Sequence, residues 1–110
     1  MQDFIKFMSH ILKRPAMHGV YKVEDLSLII FGYSFGCINS NNGDLNNKIG
    51  SLLKNMTEEL RKESNDISDN SNYNWFELVR QNSKNDKDSL KKFQEIWHEV
   101  LEKISFSPNM

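Results

Sequence analysis

The sequence is poor in several features that would narrow its function at once. It contains one cysteine, two prolines and no apolar run of the roughly 18 residues that a membrane-spanning helix needs. The single cysteine, Cys37, excludes an internal disulfide and is typical of a reducing compartment. The N-terminal segment carries Asp3, Lys6 and His10 among its apolar residues and lacks the pattern of a secretion signal. We therefore expect a cytoplasmic protein without a membrane span.

A dominant charge of one sign is missing too. The chain has 14 basic and 15 acidic residues and a formal net charge of −1. No overall positive potential would attract phosphate backbones or anionic lipid, so nucleic acid is not the expected partner. The length of 110 residues suits one domain, and we predict that residues 1–110 form a single one.

Motifs of known chemistry are absent as well. His10, His18 and His98 are far apart in the sequence, and none has a second metal ligand three or four residues away. The sequence lacks a nucleophile signature, a phosphate-binding loop and a dinucleotide glycine pattern. We predict that the protein is not an enzyme and binds no metal or other cofactor.

Helical periodicity is what the sequence does contain. Apolar residues recur at i, i+3, i+4 and i+7 in most of the chain, which predicts amphipathic helices. Pro15 and Gly19 indicate a turn after the first helix, and Asp44 is the expected N-cap of the third. The predicted helices cover residues 3–13, 23–38, 44–64, 75–81 and a segment that begins at Asp86 or Asp88.

The second helix has a competing interpretation as a strand, because its middle is rich in β-branched and aromatic residues. Its spacing favours a helix, with Gly32 and Gly36 on one face where another helix could approach closely. The polar segment 65–74 is interpreted as the main loop. The resulting fold class is all-α, a single compact bundle of about five helices, with the fifth helix central to the core.

Two groups of residues are candidates for binding a protein partner. Glu95, Glu99 and Glu102 lie in the second half of the fifth helix, where acids oppose the helix dipole, so recognition of a basic partner or simple solubility explains them. Tyr73 and Trp75 border the polar loop, and such aromatic residues are common interface anchors, although core packing is the alternative.

Short motifs point to a family. The turn from Arg14 to Gly19, the segment Glu24-Asp25-Leu26 and the pair Gly32-Tyr33 resemble a group of small helical bacterial immunity proteins. These accompany the toxins of contact-dependent growth inhibition and other polymorphic toxin systems. Trp75 and Phe93 stand where the family has a tryptophan and a phenylalanine. The chain departs from the family at His18, where members often carry tyrosine, and in its Asn-rich loop.

The resemblance implies an inhibitor that binds its cognate toxin domain, often a nuclease, and occludes the toxin's active site. It marks no site residues. We expect an acidic face to meet the toxin, formed by the three acids of the fifth helix together with the loop acids Glu63, Asp66 and Asp69. The alternative is a small transcriptional or nucleic-acid-binding regulator, for which the clustered basic residues are Lys84, Lys87, Lys91 and Lys92.

Overall fold

The structure of the protein, a computed structural model, describes residues 2–63 and 75–105. These residues form five α-helices and one 3₁₀-helix and contain no β-strand. The predicted all-α bundle is thereby confirmed, and the strand interpretation of the second helix is wrong. The predicted loop 65–74 lies outside the described residues. The elements are α1 (Gln2–Lys13), the 3₁₀-helix (Pro15–His18), α2 (Val23–Asn39), α3 (Gly43–Glu63), α4 (Trp75–Gln81) and α5 (Asp86–Ser105).

The core lies between the buried faces of the five helices, and α5 is central to it as predicted. Phe93 and Trp97 of α5 are fully buried, with their rings stacked at a centroid distance of 5.7 Å. The Phe4 ring of α1 packs edge to face with the Trp97 ring, with the ring centroids 6.0 Å apart. The helix α3 contacts α2, α4 and α5. Its apolar positions recur at helical spacing, which is why one face of α3 supplies Ile49, Leu52, Met56 and Leu60 to the core.

A tight turn joins α1 to α2, as the sequence predicts. Pro15 opens the 3₁₀-helix, and its carbonyl oxygen accepts a hydrogen bond from the Val20 N–H at 2.9 Å. Gly19 ends the turn with a φ of 75°, a left-handed conformation that costs glycine little. The turn reverses the chain so that Val20 and Val23 enter the core.

The start of α3 corrects one detail of the sequence prediction, whereas α5 begins at Asp86, one of the two predicted positions. Asp44 is not the N-cap of α3; the Asn42 side chain accepts the Leu45 N–H at 3.4 Å. At α5 the cap is Asn85, whose side chain accepts the Asp88 N–H at 2.8 Å. Asparagine caps helices about as well as aspartate, because both offer a side-chain oxygen to the first free N–H groups.

Two polar contacts fix α5 against distant parts of the chain. The buried Ser89 hydroxyl accepts the Val23 N–H at 3.0 Å and donates to the Asp86 carbonyl at 2.6 Å. It therefore satisfies a free N–H at the first turn of α2. The Gln94 side chain donates to the Leu12 carbonyl at 3.1 Å, near the end of α1.

An ion cluster joins the termini of three helices. Arg80 of α4 donates two hydrogen bonds to Glu24 of α2, at 2.7 and 2.9 Å, and one to Asp86 of α5 at 2.9 Å. The bidentate Arg80 contact lowers the pKa of Glu24 against the opposing effect of burial. The hydrogen bonds to Glu24 also raise the pKa of Arg80 above its usual value, although desolvation of the guanidinium opposes this shift.

The two glycines of α2, where the sequence predicts room for another helix, lie on the surface. Gly32 and Gly36 are exposed, and a Cβ atom added at either position would meet nothing within 4 Å. The close approach of another helix, for which the sequence leaves room, is not made within the described residues. Glycine in the middle of a helix costs about 0.5–1 kcal/mol relative to alanine, and no contact among the described residues offsets that cost.

Candidate protein-binding surfaces

The three predicted acids of α5 lie together on the surface. Glu95, Glu99 and Glu102 are exposed and follow one another at intervals of four and three residues, so they share one face of the helix. We call them the acidic strip. Lys91 and His98 are also exposed and lie one turn before Glu95 and Glu102, respectively. The three acids of the strip lie in the C-terminal half of α5, and Lys91 precedes them on the same face.

The acidic strip differs from other acids of the bundle in its contacts. Glu59 pairs with Lys62 and Lys103, which lowers the Glu59 pKa mainly through the Lys103 hydrogen bond. Asp25 accepts backbone N–H groups before α2, and Asp88 does so before α5. By contrast, no member of the strip forms an ion pair within residues 2–63 and 75–105. Nothing described in the fold explains why these positions are acidic.

The predicted loop acids are only partly placed by the structure. Glu63 is the last residue of α3, and Asp66, Asp69 and Tyr73 lie outside the described residues. Lys103 of α5 contacts Glu59, one turn before Glu63, so the end of α3 lies beside the C-terminal half of α5. The described part of α3 therefore ends at the same end of the bundle as the acidic strip, and that the loop acids join the strip stays a prediction.

Trp75 has a packing role. Its side chain is only 8% exposed, and its ring contacts Phe76 at 5.7 Å and Phe93 at 5.3 Å. Part of the ring lines a groove of 720 Å³ between α2, α3 and α4, whose walls also include Leu28, Phe31 and Leu53. A partner that reached Trp75 would do so through this groove.

An exposed apolar ridge on α2 is the feature that sequence reasoning missed. Leu28 and Phe31 are each 70% exposed, Phe35 is 55% exposed and Ile38 is 53% exposed. The Phe31 and Phe35 rings stack on each other with centroids 6.3 Å apart and planes inclined by 15°. We call these four residues the α2 ridge. Large contiguous apolar patches of this kind mark interaction sites in folded proteins.

The signal for the ridge was present in the composition of α2. From Leu26 to Asn39 the helix has no charged residue, and apolar residues occur on all of its sides. A helix that is apolar all round is expected to be covered on more than one side. Leu26, Ile30 and Cys37 recur at helical spacing and form the buried face, and the apolar residues on the other sides of the helix form the ridge.

The structure brings two histidines together that the sequence keeps apart. The rings of His10 and His18 meet edge to face, with centroids 5.6 Å apart, and both residues are exposed. In the part of the chain that the structure describes, no three His, Cys, Asp or Glu side chains are grouped so that they could hold a metal ion. In the same part, no helix has the length and apolar character needed to cross a membrane.

Searches against known protein families, curated proteins and solved structures find no match to this chain. The likeness to immunity proteins therefore stays a prediction from the motifs quoted above.

Proposed function

We propose that this protein binds a cognate bacterial toxin domain, with nuclease as the leading class, and neutralises it by covering its active site. The acidic strip of α5 carries the proposal: Glu95, Glu99 and Glu102 are exposed, aligned and without an ion pair among the described residues. The family resemblance of the motifs supports it independently.

The chemistry of a nuclease makes an acidic inhibitor surface useful. An enzyme that binds a phosphate backbone presents basic side chains, and a negative surface is attracted to them. The three carboxylates span about 10 Å along the helix, because each residue rises about 1.5 Å. Charges arranged in this way raise the association rate and the specificity of a complex more than its final affinity.

The rigidity of the scaffold supports inhibition. The opposite face of α5 packs Phe93, Ile96 and Trp97 into the core, so the strip is held in one orientation. A preorganised surface loses little entropy on binding. A bundle of this kind can therefore block a concave active site without rearranging.

The proposal predicts that a toxin domain is encoded beside the gene of this chain, and the test uses that domain. The triple variant Glu95→Lys, Glu99→Lys and Glu102→Lys is compared with the wild type for protection of growth and for association rate at two salt concentrations. We expect the association rate to fall at least about tenfold at low salt and to lose most of its salt dependence.

The matched control applies the same change of net charge elsewhere, through Asp3→Lys, Asp44→Lys and Glu58→Lys, all at exposed positions. A general effect of net charge would slow both variants alike. An unchanged association rate and salt dependence in the α5 variant would remove the proposal. Binding of duplex DNA that weakens steeply with salt would instead favour the alternative regulator.

A further inference from the structure

Two histidines from different elements meet at the turn between α1 and α2. His10 lies in α1, and His18 is the last residue of the 3₁₀-helix, eight positions further along the chain. Their ring centroids are 5.6 Å apart, and both residues are exposed. The prediction that the chain binds no metal rests on spacing along the sequence, which gives no sign of ligands that a turn brings together.

The backbone at both histidines is held in place by the fold. Ile11, next to His10 in α1, is buried in the core. The turn that carries His18 is closed by the hydrogen bond from the Val20 N–H to the Pro15 carbonyl at 2.9 Å. Only the two side chains therefore need to be ordered when both rings bind one ligand, which keeps the entropic cost of binding small.

The distance between the two rings is close to that of histidines that share a zinc ion. An imidazole nitrogen binds Zn²⁺ at about 2.0–2.1 Å, which places the ion about 3.2 Å from the ring centroid. Two rings at the tetrahedral angle then have centroids about 5.2 Å apart, against about 4.5 Å at a right angle and about 6.4 Å on opposite sides of the ion. The observed 5.6 Å is nearest to the tetrahedral value, and tetrahedral coordination is typical of Zn²⁺.

The edge-to-face tilt of the rings leaves chelation open. Rotation about the Cβ–Cγ bond of a histidine moves the ring nitrogens but leaves the ring centroid nearly in place, because the ring lies along the axis of that bond. In exposed side chains this rotation is broad and fast. The distance between the centroids of His10 and His18, and not their interplanar angle of 60°, therefore decides whether the pair can hold one ion.

We propose that His10 and His18 form an open two-histidine site for Zn²⁺, with water at the remaining coordination positions. Within residues 2–63 and 75–105 no third His, Cys, Asp or Glu side chain is grouped with the pair. A zinc ion bound here ties the C-terminal part of α1 to the turn that follows it. This inference does not depend on the proposed function.

The neighbouring charges make the site weak. Lys6, Lys13 and Arg14 are exposed on α1 and lie three or four residues from His10. Each of them repels a divalent cation through water, and salt screens the repulsion. Two protein ligands also bind less tightly than the four of a structural zinc site. We therefore expect a dissociation constant of about 100 μM, and tighter binding at higher salt concentration.

Calorimetric titration of the full chain with ZnCl₂, up to about 1 mM, tests the proposal. We expect the wild type to bind one ion per chain. His10→Gln and His18→Gln should each raise the dissociation constant at least about tenfold, because either change removes one of two ligands. A wild type without saturable binding would overturn the proposal, and so would a single variant that binds Zn²⁺ like the wild type.

His98→Gln is the matched control, since His98 is an exposed histidine of another helix. This variant should bind Zn²⁺ like the wild type. If it weakens binding as much as His10→Gln does, the ion is bound by scattered surface histidines and the proposed site is wrong. Mg²⁺ prefers oxygen ligands and should not compete with Zn²⁺ for the pair.

Thermal unfolding gives a second readout, because the two ligands come from elements that separate when the chain unfolds. Zn²⁺ at about 1 mM should raise the melting temperature of the wild type by about 5 °C and leave that of His10→Gln and His18→Gln nearly unchanged. Without Zn²⁺ the three proteins should melt alike, since both histidines are exposed. A rise in melting temperature that both variants retain would place the ion elsewhere and overturn the proposal.

Discussion

The solvent-facing sides of α2 and α5 are opposite in character, although both helices bury their other side in the same core. The exposed face of α5 carries lysine, histidine and glutamate, whereas the exposed face of α2 carries leucine, phenylalanine, isoleucine and glycine. A charged face is stable in water and interacts over a distance, while an apolar face gains free energy only on contact. The two faces are therefore suited to different partners.

The two helices also divide their apolar residues differently between the core and the surface. In α5 the apolar residues are nearly all used by the core, so polar positions are left for recognition. In α2 the apolar residues exceed what one buried face can use, and the remainder forms the ridge. Substitutions on the two faces should therefore affect stability and association in different proportions.

The largest contrast is expected between two phenylalanines. Phe93→Ala in α5 should lower the free energy of unfolding by about 3–5 kcal/mol, because it leaves a cavity beside Trp97. Phe31→Ala in α2 should change it by no more than about 0.5 kcal/mol in dilute solution. Chemical denaturation of both variants at low micromolar concentration measures the difference. A comparable loss in both would mean that the ridge is covered within the monomer.

The next largest loss of stability is expected at the hydrogen bond between Ser89 of α5 and Val23 of α2. Ser89→Ala should cost about 1–3 kcal/mol, because it leaves the buried Val23 N–H without its acceptor. Ser27→Ala is the control, since its hydroxyl donates to the Glu24 carbonyl within the same helix. Thermal unfolding of the two variants compares them. If Ser27→Ala is the more damaging, the Ser89 contact does not hold α2 to α5.

The ion cluster of Arg80, Glu24 and Asp86 should contribute less to the free energy of unfolding, and its contribution depends on pH. Because Arg80 lowers the pKa of Glu24 in the folded state, the pair contributes stability above the ordinary carboxyl pKa of 4.5 and loses it as the pH falls through the folded value. The side chains are about one-third exposed, which limits the contribution to about 1 kcal/mol.

Glu24→Gln tests this contribution. The variant should be less stable than the wild type at neutral pH, and the difference should disappear in acid. Urea unfolding between neutral pH and pH 3 gives the comparison, with Asp44→Asn as a control for an exposed pair. A difference that is constant with pH would assign the effect of Glu24 to packing.

The smallest effect on stability belongs to the acidic strip. Changing Glu95, Glu99 and Glu102 to glutamine should alter the free energy of unfolding by only a few tenths of a kcal/mol in total, and in the stabilising direction, because Glu102 lies in the last turn of α5 and opposes its dipole. Thermal melting at low salt is the measurement. A clear loss of stability would show that the strip serves the fold and would weaken its assignment to recognition.

Sequence periodicity predicts most of this fold, and α5 shows why. In α5 the apolar residues recur at helical spacing between charged ones, and this contrast between apolar and charged positions identifies the buried face, formed by Phe93, Ile96, Trp97 and Val100. In α2 that contrast is absent after Asp25. The sequence indicated a helix there, but it could not indicate which apolar residues face water, since burial depends on neighbours distant in the chain.

The candidate surfaces were predictable to different degrees for the same reason. Exposed acids follow from the α5 pattern, whereas the ridge appears only once the packing of α2 against α3, α4 and α5 shows which of its apolar residues stay exposed. The pairing of Arg80 with Glu24, 56 residues away, has no local signal either. Local chemistry predicts helices and caps, and it does not predict which distant residues will meet.

The shortness of α4 has a consequence for hydrogen exchange. A helix of seven residues is not stable alone in water, because one or two turns do not offset the cost of nucleation. Its amide protons can therefore be protected only while Leu78 and Val79 are buried and Arg80 is bound to α2 and α5. Exchange in α4 thus reports how often this small segment leaves the bundle, independently of unfolding of the longer helices.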